Sequence, residues 1–242
     1  SINNFFFKFY KLEFPKDDHG LYGNFRNTLF IMATITNEKK TVHFIRHAES
    51  VCNVLRRELR VHKFPNPPVI PDPGLTYEGI QQTSRLKQYL GQTLKPEIAI
   101  CSPYTRTLHT CLLSYGSNNV VVSPLCGERV SSCDDIGLPA TYLKELFPML
   151  DFTSLDEIWW YMQDGINSQP EAVRLISEGK LEFETNTHVT TRMEKFLDFL
   201  SKRPEKNIAV FAHNDFLREF LTKYFEFSDS HLDNCEVFSA TL

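Results

Sequence analysis

The stretch T-V-H-F-I-R-H-A-E-S-V-C-N, residues 41–53, decides how this 242-residue chain is read. Residues 41–45 are a short β-branched and apolar run, the signature of a buried strand, and it breaks abruptly on Arg46-His47. In open α/β sheets ligands gather beyond the carboxyl ends of the strands, so a guanidinium and an imidazole at that point mark a candidate site.

Working outward, three further runs of the same kind occupy residues 97–101, 120–125 and 207–212. Helical patterns over 76–91, 103–115, 187–202 and 216–225 alternate with them, which predicts a mostly parallel central sheet with helices on both faces, a three-layer α/β/α fold. Val189, Met193, Phe196, Leu197 and Leu200 recur at helical spacing and form a core stripe, not a cofactor site. The Pro-rich residues 64–73 form a stiff loop of the sort that borders a site.

Each predicted strand ends in polar chemistry. The first runs into Arg46-His47, the second into Ser102-Pro103-Tyr104-Thr105-Arg106, the third into Gly127-Glu128-Arg129 and the fourth into His213-Asn214-Asp215. Adjacent strands lie about 4.8 Å apart, so these groups can converge on an object the size of a phosphate. Any one histidine at a strand end has a plain structural explanation; two histidines, two arginines and a glutamate together suit a tetrahedral oxyanion. Flanking arginines disfavour a metal site, and no G-x-S-x-G elbow supports a serine hydrolase.

Composition sets the wider bounds. Apolar residues are 42% of the chain and charged residues 23%, ordinary for a globular protein with a sizeable core. The net charge of −4 gives no global pull toward nucleic acid or anionic membrane, so neither is an expected partner. Six cysteines without a C-x-x-C pair read as free thiols in a reducing, cytoplasmic setting. No run approaches the roughly 20 apolar residues of a spanning helix. The expected organisation is an arm or extension over residues 1–31, rich in aromatics and lysines, followed by one catalytic domain over 32–242. Met32 stands where that domain would begin.

The motifs resemble those of the histidine phosphatase superfamily, which includes cofactor-dependent phosphoglycerate mutases and their phosphatase relatives. Its R-H-G-x-S/T-x-x-N signature stands here as Arg46, His47, Ala48, Ser50 and Asn53, with alanine for the usual glycine. Its D-x-x-L-T-x-x-G-x-x-Q segment is Asp72, Leu75, Thr76, Gly79 and Gln82. Its S-P-x-x-R-x-x-x-T segment is Ser102, Pro103, Arg106 and Thr110, and its second histidine is His213.

The resemblance implies a phosphatase that hydrolyses small phosphorylated substrates or phosphoproteins without cofactor or metal, through a phosphohistidine on His47. Arg46, Asn53, Arg106 and His213 would hold the phosphoryl oxygens, and Glu128 matches the family's proton donor. Asp215 is a rival donor, set off by one position because Asn214 intervenes. Asn214 would either add a phosphate contact or cap the following helix. Glu128 has its own bland alternative, an ion pair with a neighbouring arginine. A mutase is the alternative activity, and a non-catalytic phosphate-binding scaffold the third. After Glu128-Arg129 the chain reads Val130-Ser-Ser-Cys-Asp-Asp-Ile136, acidic and without the extra cations with which a mutase grips a second anionic group. Arg56, Arg57, Arg60, His62 and Lys63 are expected to be a solvated helix face, and Trp159 and Trp160 to be core or part of a cap over the site.

Overall fold

The computed structural model describes residues 39–59 and 70–242. The expectations for residues 1–31, Met32, Arg60, His62, Lys63 and most of the Pro-rich loop lie outside the described residues.

The predicted strands are present as β1 (Thr41–Arg46), β2 (Ile98–Cys101), β3 (Val120–Val122) and β4 (Asn207–Ala212), mutually parallel. A fifth, β5 (Val237–Thr241), pairs antiparallel with β1 and makes the sheet mixed, in the order β3-β2-β4-β1-β5. The helices are α1 (Val51–Leu59), α2 (Tyr77–Tyr89), α3 (Thr105–Ser114), α4 (Ala140–Leu146), α5 (Gln169–Ser177), α6 (Asn186–Lys202) and α7 (Asn214–Tyr224). A π-turn, Leu90–Leu94, prolongs α2.

Alternation along the strands sorts the core into two halves. Ile45, Ala99, Cys101, Ala209 and Phe211 face α2, α3, α4 and α5. Val42, Phe44, Ile98, Ile100, Ile208, Val210 and Ala212 face α6 and α7, where Phe196, Phe216 and Phe220 are fully buried. Each such side chain contributes roughly 1.5–3 kcal/mol by leaving water. The outcome is the expected three-layer α/β/α fold. All six cysteines are free thiols, five of them buried, and no helix among the described residues is long and apolar enough to cross a membrane.

The register prepares the site. Arg46 lies opposite Ala212 on the two central strands, so the residues that follow, His47 and His213, leave the sheet side by side. The His47 amide donates to the Ala212 carbonyl at 3.0 Å, and the Ser102 amide to the Phe211 carbonyl at 3.1 Å, holding three chain exits together. The third strand is shorter than expected. It stops at Val122, and a 3-10 turn, Pro124–Cys126, started by Pro124 and bonded through Ser123, swings Glu128 toward the start of α7.

Candidate active site

The loop carrying His47 is gripped by residues of the other two motifs. The Ala48 amide donates to Thr110 Oγ1 on α3 at 2.9 Å, and the Glu49 amide donates to Gln82 Oε1 on α2 at 2.9 Å. Thr76 caps α2 through the Gly79 amide while its hydroxyl donates to Glu49 Oε1 at 2.8 Å. At Gly79 a Cβ would stand 2.2 Å from the Glu49 carbonyl oxygen, so only glycine lets α2 come this close. Asp72 accepts from the Thr105 amide and hydroxyl at 2.9 and 2.8 Å, seating the first turn of α3 and hence Arg106. Ala48 itself is fully buried and is not among the residues with positive φ, so alanine in place of glycine is unstrained there.

His47 is 4% exposed. Its Nδ1 lies 2.7 Å from the Ala48 carbonyl, which can only accept, so Nδ1 carries the proton and Nε2 keeps the lone pair. Burial, then Arg106 and Arg46, hold its pKa well below the ordinary value, and the ring is neutral at neutral pH. His213 is beside it, ring centroids 5.3 Å apart, and the same influences depress its pKa. His213 Nε2 is 2.8 Å from Ser102 Oγ, while its buried Nδ1 has no partner among the described residues. Tyr104 meets the His213 ring edge-on at 4.9 Å and is itself backed by Trp159 at 4.7 Å. Both tryptophans are thus buried, as the core alternative predicts.

Arg46, Asn53 and Asn214 line a cleft of about 960 Å³, together with Arg56, Arg57, Arg129, Asp215 and Arg218 among others. Arg46 donates from Nη1 to the Leu232 carbonyl at 2.5 Å, while its buried Nε lacks an acceptor among the described residues. Asn53 Oδ1 accepts from the Ser50 amide at 3.0 Å. Asn234, which carries no motif, donates to the His47 carbonyl at 2.8 Å and to Asn53 Oδ1 at 3.3 Å, tying the His47 loop to the turn before β5.

Arg106 is more occupied than its motif suggests. It lies 4.5 Å over the Tyr104 ring, donates to the Asp134 carbonyl at 2.8 Å, and pairs with Asp135 at 3.3 Å and Asp72 at 3.9 Å. The acidic Val130–Ile136 segment is therefore folded inward. Its Asp134 also takes Arg56 at 2.6 Å, so Arg56 is not a solvated residue as expected. Arg57, 61% exposed and paired with Glu49, does fit that expectation.

Glu128 is half-buried and its carboxyl caps α7. Oε1 accepts from the Arg129 and Phe216 amides, both at 2.9 Å, and Oε2 from the Asp215 amide at 3.2 Å. The Arg129 side chain turns away to Glu219, Asn186 and the Glu184 carbonyl, so the arginine-pair alternative does not hold. Burial, then Asp215 and Asp135, raise the Glu128 pKa to about 8, against the pull of the Arg129 amide and Arg106. Capping of α7 by Asn214 is overturned as well. Its Nδ2 donates to Asp215 Oδ1 at 3.0 Å and its Oδ1 accepts from the Leu232 amide at 3.2 Å, because Glu128 already takes the helix amides.

The model of the histidine phosphatase superfamily (branch 1) matches residues 42–125. A phosphoglycerate mutase-like protein of Arabidopsis thaliana is 25% identical over 248 residues, covering 84% of this chain and 84% of that one. Phosphoglycerate mutase-like protein 1 of the same plant is 27% identical over 217 residues, covering 74% and 69%. Among solved structures, mycobacterial glucosyl-3-phosphoglycerate phosphatase shares the fold with a TM-score of 0.51 at 13% identity, covering 84% of this chain and 90% of that one. The motif order, the strand-end geometry and these likenesses agree, and over residues 42–125 the chain is similar to the histidine phosphatase superfamily (branch 1).

Proposed function

We propose that the protein hydrolyses phosphate monoesters through a phosphohistidine on His47. The observation that carries this reading is the state of His47: Nδ1 donates to Ala48, and burial with two arginines keeps Nε2 unprotonated beside His213. Phosphoryl transfer asks mainly for positioning and charge stabilisation. Arg46 Nε and His213 Nδ1, both buried donors without an acceptor among the described residues, would take phosphoryl oxygens, with Asn53, Asn214 and Arg106 around them.

In the first step His47 Nε2 forms a bond to phosphorus as the ester P–O bond breaks, and the leaving oxygen takes a proton from Glu128. That proton belongs on Oε2, which accepts a single long bond, whereas Oε1 already accepts two. In the second step water attacks phosphorus, gives its proton back to Glu128, and the P–N bond breaks, leaving inorganic phosphate and free His47. A pKa near 8 supports the donor role at neutral pH. Asp215, half-exposed and held by Asn214, is the weaker rival.

Hydrolysis is favoured over mutase chemistry because the Val130–Ile136 segment brings no cation and spends its carboxylates on Arg56 and Arg106. The test is phosphate release from 4-nitrophenyl phosphate with chelator present, abolished in His47→Ala. Conversion of 3-phosphoglycerate to its 2-isomer, dependent on a bisphosphorylated primer, would instead establish the mutase; absence of both, with no labelling of His47, would leave a phosphate-binding scaffold. A small phosphorylated metabolite or a phosphoprotein is the substrate class, and a panel of each would rank them.

A further inference from the structure

Two side chains with no place in the motifs enclose the Glu128 loop. Arg192, on the inner face of α6 and 11% exposed, donates from Nη1 to the Leu125 carbonyl at 3.0 Å and the Gly127 carbonyl at 2.7 Å. Its Nη2 reaches the Glu128 carbonyl at 3.4 Å. Its guanidinium also lies 5.1 Å over the ring of Phe216, the residue whose amide holds Glu128 Oε1. Arg192 therefore touches both the backbone of Glu128 and the residue that fixes its carboxyl.

Glu184 completes the enclosure. It is 1% exposed, pairs with Arg192 Nη2 at 3.0 Å, and accepts from the Val130 amide at 3.2 Å, just past Glu128. Its own amide donates to the Val130 carbonyl at 2.9 Å, and its carbonyl accepts from Arg129 Nε at 3.3 Å. The chain is thus held at residues 125, 127, 128, 129 and 130 by one ion pair. A buried pair of this kind is costly to desolvate and contributes little net stability as a rule, so its worth lies in fixing geometry. Such a clamp matters where a proton must be delivered along one direction, since small displacements cost large factors in rate.

We infer that Arg192, oriented by Glu184, is a positioning residue for proton donation by Glu128. The inference rests on the donor role proposed above for Glu128. It distinguishes sharply between substrates: an alkoxide leaving group needs the proton, whereas 4-nitrophenolate leaves without it.

The experiment compares kcat and KM for β-glycerol phosphate and 4-nitrophenyl phosphate in Arg192→Met, Arg192→Lys, Glu184→Gln and Glu128→Gln, with melting temperature as a check on folding. Arg192→Met should lower kcat/KM, which reports the first step, on the alkyl ester about 10- to 100-fold and on the aryl ester less than about threefold. Arg192→Lys should recover part of the loss, and Glu184→Gln should show a smaller loss of the same selectivity, which keeps the test decisive if Arg192→Met does not fold. Equal losses of kcat/KM on both substrates, or none on either, in folded Arg192 variants would overturn the inference while Glu128→Gln still discriminates. If Glu128→Gln itself fails to discriminate, the donor reading falls, and the positioning role with it.

Discussion

Replacing Thr110 with valine removes one hydroxyl and keeps the side chain's shape, and that oxygen supports the loop carrying the proposed nucleophile His47. Thr110 Oγ1 accepts the Ala48 amide at 2.9 Å and donates to the Arg106 carbonyl at 2.7 Å. Thr110 and Ala48 are both fully buried, so no water can replace the lost acceptor. Orphaning a buried amide costs about 1–3 kcal/mol, roughly a 5- to 150-fold change in the unfolding equilibrium. The Ala48 carbonyl on the same short loop holds the proton on His47 Nδ1, so slack there also disturbs the attacking Nε2. The expected loss in kcat is about 10- to 100-fold, with KM changing less. Urea denaturation and steady-state kinetics on 4-nitrophenyl phosphate read both effects, and Thr110→Ser, which restores the hydroxyl, should return most of each. A Thr110→Val protein with parental stability and kcat within twofold of the parent would refute the reasoning.

Glu128→Gln should lower kcat/KM, which reports the first step, on alkyl phosphates about 10²- to 10⁴-fold while sparing kcat/KM on 4-nitrophenyl phosphate, measured as the ratio of the two values. Because burial and neighbouring carboxylates raise the Glu128 pKa to about 8, the donor is protonated below that pH and lost above it. The parent's activity on alkyl esters should accordingly fall as pH rises through about 8, a limb that Glu128→Gln lacks. Gly79→Ala, whose Cβ would press on the Glu49 carbonyl oxygen at 2.2 Å, should destabilise by about 1–3 kcal/mol and slow turnover. Thermal unfolding alongside kinetics separates the two effects.

Sequence reasoning reached the parallel strands because each is a short apolar run that breaks on charge. It missed β5, an edge strand whose Val-Phe-Ser-Ala-Thr is half-exposed and looks like a surface segment. It also missed α4 and α5, seven and nine residues long with two buried positions each, too little for a periodic signal. The meeting of His47 and His213 was legible because strand ends in a parallel sheet are neighbours once the order is known. The partners of Glu128 were not. They are backbone amides 87 and 88 residues away, and an amide has no letter in the sequence. The same holds for Arg192, which grips carbonyls, and for Asn234, which reaches His47 from a turn with no pattern of its own. The acidic Val130–Ile136 segment was read for the cations it lacks; its carboxylates proved to be the anchors of Arg56 and Arg106.

The central claim, a phosphoryl group carried on His47, is tested most directly by rapid acid-free quenching during turnover followed by peptide mass spectrometry. The account predicts a base-stable, acid-labile addition of one phosphoryl group on the peptide containing His47, absent in His47→Ala and accumulating when the second step is slowed in Glu128→Gln with an aryl phosphate. Steady hydrolysis with an unmodified His47 peptide at every quench time, or turnover that survives His47→Ala, would contradict it.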